Sequence, residues 1–168
     1  MNQDLNNQRY LELLNYNKKN HIQLLKYSQD LKQQGKSIPD ELRKDFSKLR
    51  KYLVILVDHL NWETRDQYLE LLNQFMEKKI DIPDFCIAFC ERYKLNEEVA
   101  DILESNLVLL SPHENSLDFG NFLELIVDSC EVCNGDPEPL RKSYEIGHTE
   151  FRNLVEKTYL QIQKFLEE

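Results

Sequence analysis

The residues best equipped for chemistry are four cysteines in two pairs, Cys86-x-x-x-Cys90 and Cys130-x-x-Cys133. Two such pairs far apart in a chain permit a four-thiolate zinc site. The local charge argues against it. Cys133 falls at the end of an apolar helical stretch, where the negative end of the helix dipole disfavours a thiolate, and Asp128, Glu131 and Asp136 add negative charge there. Redox-active Cys-x-x-Cys pairs sit at helix N-termini for the opposite reason. Cys86 and Cys90 lie among Phe85, Ile87, Ala88 and Phe89, a core environment in which a free thiol acts as a small hydrophobe. The expectation is four reduced, packed cysteines with no metal and no cofactor; a structural zinc on Cys86, Cys90, Cys130 and Cys133 is the alternative.

Glu145-x-x-His148 has the spacing of a di-iron ligand pair, but no other histidine has a glutamate three residues before it, and a ferritin-like centre needs two such pairs. Glu145 fits better as a lead into the last helix. His21 and His59 fall on or beside helix faces, and His113 lies in a polar loop with no nucleophile tied to it. There is no phosphate-binding loop, dinucleotide fingerprint, H-E-x-x-H or G-x-S-x-G. The expectation is a protein without catalytic residues.

Asp118, Glu124, Asp128, Glu131, Asp136, Glu138 and Glu145 fall on one helix and the link after it. The spacing of 124, 128 and 131 puts three carboxylates on one helix face, at about 0.2–0.5 kcal/mol of repulsion per pair. Such a face suits the Lys and Arg of a protein partner, with Tyr144 and Tyr93 as aromatic anchors beside it.

The elements that must position these residues are helices. Only four glycines and five prolines punctuate 168 residues, and helical periodicity runs almost throughout. Tyr10, Leu14, Leu24 and Leu31 form one stripe, interrupted by Asn17 and His21 and ended at Gly35. Ser37 then reads as an N-cap, with Pro39 in the first turn. Leu42, Phe46, Leu49, Leu53, Leu56 and Leu60 face inward, and Val54, Ile55 and Val57 widen that face. After Asn61 come a helix from Trp62 to Ile80 with Tyr68, Leu72, Phe75 and Met76 inward, and a shorter one with Pro83 near its start and Phe85, Cys86, Phe89, Cys90 and Tyr93 inward. Asn96 reads as the cap of a separate helix burying Val99, Ile102, Leu103, Leu107 and Leu110, and Ser111 as the cap of a turn with Glu114. Phe119, Phe122, Leu123, Ile126, Val127 and Cys130 form the next core face. Asn134 to Gly147 is the longest irregular link, and the last helix, from near His148, buries Phe151, Leu154, Val155, Ile162 and Phe165.

A chain of this length buries roughly 70% of its unfolded surface and needs no staple. The N-terminus lacks the pattern of a signal peptide, and the longest apolar run, Tyr52 to Val57, is far short of a membrane span. A soluble, reducing, cytoplasmic setting without a membrane partner follows. Residues 1–60 carry eleven Lys and Arg against seven Asp and Glu, a net of +4; residues 61–168 carry ten against twenty-three, a net of −13. The acidic part repels phosphate backbones, so nucleic acid is not expected as a partner.

"YLELLNQFMEKKIDIPDFCIAFCERY", then an intervening helix, then "FGNFLELIVDSCEVCNGDPEP…YEI…EFRNLVEK", resembles the bacterial self-protective colicin-like immunity family, typified by the colicin D immunity protein, over about residues 63–166. The shared pattern runs from Phe75 to Ile80, through the Asp84–Phe89 helix and the acidic turn after Cys130, to the Tyr144-Glu145-Ile146 lead into a final amphipathic helix. The resemblance implies a small all-α bundle. It also implies an acidic inhibitor that binds the basic nuclease domain of a toxin, covering a tRNA-cleaving site in the colicin D case. The hairpin of residues 1–60 lies outside it, and no toxin-contacting carboxylate is carried over. The combined expectation is an all-α antiparallel bundle of about five helices over residues 62–168, with an N-terminal helical hairpin over residues 1–61. It would bind a basic protein through Asp118, Glu124, Asp128, Glu131, Asp136, Glu138, Tyr144 and Glu145; a helical adaptor that binds through the hairpin is the other alternative.

Overall fold

The apolar stripes become five α-helices in the computed structural model, which describes residues 23, 24, 27, 30, 31, 33–105, 110, 112–137 and 140–167. They are α1 (Arg43–Glu63, led in by a single 3-10 turn at Asp40–Leu42), α2 (Arg65–Met76), α3 (Ile82–Ser105), α4 (Ser116–Val132) and α5 (His148–Glu167). The chain is an all-α helical bundle. The described residues hold no strand; the one β-like contact is an isolated bridge between Cys133 and Ile146. Among them no helix is long and apolar enough to cross a membrane.

Upstream, the described residues between 23 and 33 are helical, and Leu24 and Leu31 are buried as expected. Gly35 ends that segment with φ +64, a left-handed value that lets the Lys36 N–H reach back to the Leu31 carbonyl at 2.9 Å. Tyr10, Leu14, Asn17 and His21 lie outside the described residues. Ser37 does not cap α1. Pro39 takes the N-cap position of the 3-10 turn and has no side-chain acceptor to offer, while the Arg43 guanidinium pairs with Asp40 at 2.8 Å.

The main core is aromatic. Phe75 stacks on Phe85 at 4.4 Å, and Phe151 meets both edge-on at 5.9 and 6.1 Å. Tyr68, Leu72, Phe89, Phe119, Leu123, Ile126, Val155 and Ile162 complete it. A smaller core joins Tyr52, Leu56 and Val57 of α1 to Ala100 of α3. Helix α1 packs chiefly on α4 and α3, and it ends two residues past the expected division at residue 61, so Trp62 enters the main core.

Three sequence expectations give way here. Val54 and Ile102, placed inward by periodicity, are exposed at 55% and 60%: each stripe is narrower than its apolar composition suggests. The helix expected from Trp62 to Ile80 breaks at Thr64 and ends at Met76. Asn96 caps nothing. It sits inside the continuous helix α3, is 1% exposed, and its amide reaches Asn61 Oδ1 at 2.8 Å, Thr64 Oγ1 at 2.9 Å and the Tyr68 hydroxyl at 3.2 Å. The Arg92 guanidinium donates to Asn96 Oδ1 from one turn earlier. A side chain whose polar atoms are all engaged across helices has no reason to fold back on its own backbone.

Candidate functional site

Helix α4 lies with Phe119, Leu123 and Ile126 against the core, so its opposite side faces out. Glu124, Asp128 and Glu131 are exposed there on one stripe, within about 60° of arc at 100° per residue. Asp118 is exposed as well but lies about 120° around the helix from Glu124, so it does not share that stripe. None of the four is in an ion pair with a described residue.

The link after α4 is more ordered than its composition suggests. The Asn134 N–H donates to the Ile146 carbonyl at 2.9 Å, and the Ile146 N–H to the Val132 carbonyl at 3.0 Å, closing the loop at its neck. Glu145 holds the interior: its Oε2 accepts from Asn134 Nδ2 at 2.9 Å and from the Lys142 N–H at 2.8 Å. These two bonds hold its carboxyl below the usual range. Glu145 therefore secures the loop through its Oε2. Asp136 is exposed in the same loop, its N–H bonded to Asn134 Oδ1 at 2.9 Å. Tyr144 projects outward at 62% exposure with the Lys142 ammonium 5.6 Å from its ring centre. Glu138 lies outside the described residues.

Glu124 also faces a feature that sequence reasoning missed. A groove of about 540 Å³ runs between α1, α3 and α4, lined by Arg50, Leu53, Val54, Val57, Asp58, Tyr93, Glu97, Asp101, Leu117, Asn121 and Glu124. Four carboxylates against one guanidinium make it acidic. Asp58 is 8% exposed, and its carboxyl lies over Gly120, where a Cβ would stand 2.0 Å from Asp58 Oδ1. The missing side chain of Gly120 makes room for it. Asp58 has no hydrogen bond or ion pair among the described residues. Burial, then repulsion from Glu124, pushes its carboxyl up from 3.8 to about 7. Tyr93, half-buried in the wall, is pushed up to about 12 by burial and then by Asp58, Glu124, Glu97 and Asp128. Tyr93 thus forms part of the groove between these acids. A signal for Asp58 was present: one acid directly follows the apolar run Tyr52–Val57, on a turn too apolar to be solvated.

Other candidates are structural. His113 stacks on Trp62 at 4.4 Å, and the Arg65 guanidinium lies 4.7 Å from the same ring. His59 is held below its ordinary value by burial, against the opposing pull of Glu63. Cys130 of α4 meets Cys86 and Cys90 of α3, and those contacts with burial push its thiol up; burial also raises Cys133. Both cysteines of the α4 pair thus hold their protons. All four cysteines are free and partly buried, and among the described residues no three His, Cys, Asp or Glu are arranged to hold a metal ion.

Compared with protein-family models, with curated proteins and with solved structures, the chain matches none. What it offers chemically is a scaffold with carboxylates on one outer helix face and more in the groove beside it.

Proposed function

We propose that this protein is a non-enzymatic inhibitor of the immunity type, binding a basic domain of a toxin through the acidic side of its bundle. The observation that carries the reading is the set of exposed carboxylates Glu124, Asp128 and Glu131 on one side of α4, none paired with a cation among the described residues. Like charges held this close destabilise a lone helix, and a cationic partner relieves that repulsion. The net charge of −13 over residues 61–168 extends the field beyond the helix and steers a basic protein toward it. The resemblance in the Phe75–Phe89 and Phe119–Ile146 stretches supports the toxin as partner. No substrate chemistry enters: inhibition follows from covering the toxin's cationic site.

The test is stopped-flow association, at low and high salt, with the basic nuclease domain of a candidate toxin. Changing Glu124, Asp128 and Glu131 together to Lys takes residues 61–168 from −13 to −7, and should slow association about tenfold or more and weaken its salt dependence. A triple variant with unaltered association rate and salt dependence removes the reading.

A further inference from the structure

We infer that the groove between α1, α3 and α4 is a seat for a single lysine or arginine side chain of the partner, with Asp58 at its floor as the counter-ion. This rests on the function proposed above and places its central contact at a second, deeper position beside the α4 stripe. Acidity alone would not point to a ligand; the state of Asp58 does. A carboxyl this buried (8% exposed), lining a groove and bonded to nothing within the described chain, is normally given an ion-pair partner or replaced by an apolar residue; left alone it keeps its proton. Here it has been kept without a partner, and Gly120 of α4 leaves space for it where any larger residue would intrude. The walls suit the occupant. Leu53, Val54, Val57 and Leu117 present apolar surface for the methylene stem of Lys or Arg, and Val54 and Leu117 are 55% and 50% exposed with nothing described over them. Glu97 on α3 and Glu124 on α4 line the groove where the head group would sit, and the Asn121 amide offers an acceptor. Arg50 lines the groove on α1 and makes no ion pair with Asp58. The raised proton affinity of Asp58 fits an acid whose partner arrives from outside.

The probe is the pentapeptide acetyl-Gly-Gly-Arg-Gly-Gly-amide, titrated into the full chain and followed by amide chemical shifts, with lysine and citrulline versions in parallel. The arginine and lysine peptides should shift Val57, Asp58, Glu97 and Asn121 saturably, and the citrulline peptide should not. Asp58→Asn should weaken binding about tenfold or more, since a buried counter-ion is lost; Glu97→Gln, on the exposed rim, should weaken it less. Shifts spread evenly over the acidic surface, or an unchanged affinity in Asp58→Asn of normal helicity, overturn the proposal. So do groove signals that move with protein concentration alone, which would make a second copy the occupant. Failure here while the basic domain still binds through the α4 stripe removes the seat and leaves the broader reading. Saturable arginine binding without any bound basic domain does the reverse.

Discussion

Asp58→Asn should make the free protein more stable, and the gain should depend on pH in a defined direction. Asp58 holds its proton up to about pH 7 in the folded state, whereas its ordinary value is 3.8. Between these values the native protein binds a proton that the unfolded chain releases, so stability falls as pH rises through the window. Moving one carboxyl from 3.8 to about 7 corresponds to about 4 kcal/mol at the upper end, as a ceiling for a rigid site. Asparagine keeps the shape and never ionises. The variant should therefore match the wild type near pH 4 and exceed it by about 2–4 kcal/mol at pH 8, a rise in Tm of about 2–4 °C per kcal/mol for a chain of this size. Glu104, pushed up to about 7 by burial and then Asp101, titrates in the same window, so the variant keeps a shallower slope of the same sign. Urea unfolding at pH 4, 6 and 8 reads all of this. Equal stability of variant and wild type at pH 8 would show that Asp58 is solvated or paired, and the reasoning about the groove floor would fail.

Asn96→Ala should cost about 2–4 kcal/mol in urea unfolding, because Asn61 and Tyr68 lose a shared partner in a buried network; a cost under about 0.5 kcal/mol would mean that water replaces the amide. Gly120→Ala sets a helix-propensity gain of about 1 kcal/mol against overpacking of about 1–3 kcal/mol on Asp58, so a net loss is expected, and combining it with Asp58→Ala should recover the gain. Glu145→Ala should speed amide exchange at Lys142 while leaving α5 protected, since the Lys142 N–H loses its acceptor.

The helices were legible because their inward faces are long and regular. Tyr68, Leu72, Phe75, Phe85, Phe89, Phe119, Leu123 and Ile126 all sit where periodicity placed them, each at most 1% exposed. Asn96 was misread because Asn followed by two glutamates is a strong start signal, and only its hydrogen bonds across α1 and α2 reveal an interior position. The α4 stripe was visible as spacing along one helix. The groove was not, because Asp58, Glu97 and Glu124 come from three helices and meet only once α1 packs between α3 and α4. Glu145 was legible as a lead into the last helix and as one of the acids, but its bonds to Asn134 and Lys142 exist only once the loop closes. Sequence reports which residues share a helix face, whereas pairing across helices is set by crossings that no single stripe specifies.

The most direct measurement of the central claim is hydrogen-exchange footprinting of this protein with and without the basic nuclease domain of a candidate toxin. Protection should concentrate on the acidic side, in residues 93–101 of α3 and 117–131 of α4, and should weaken as salt is raised. Protection confined to residues 1–60, or none at low salt, would contradict an acidic docking surface.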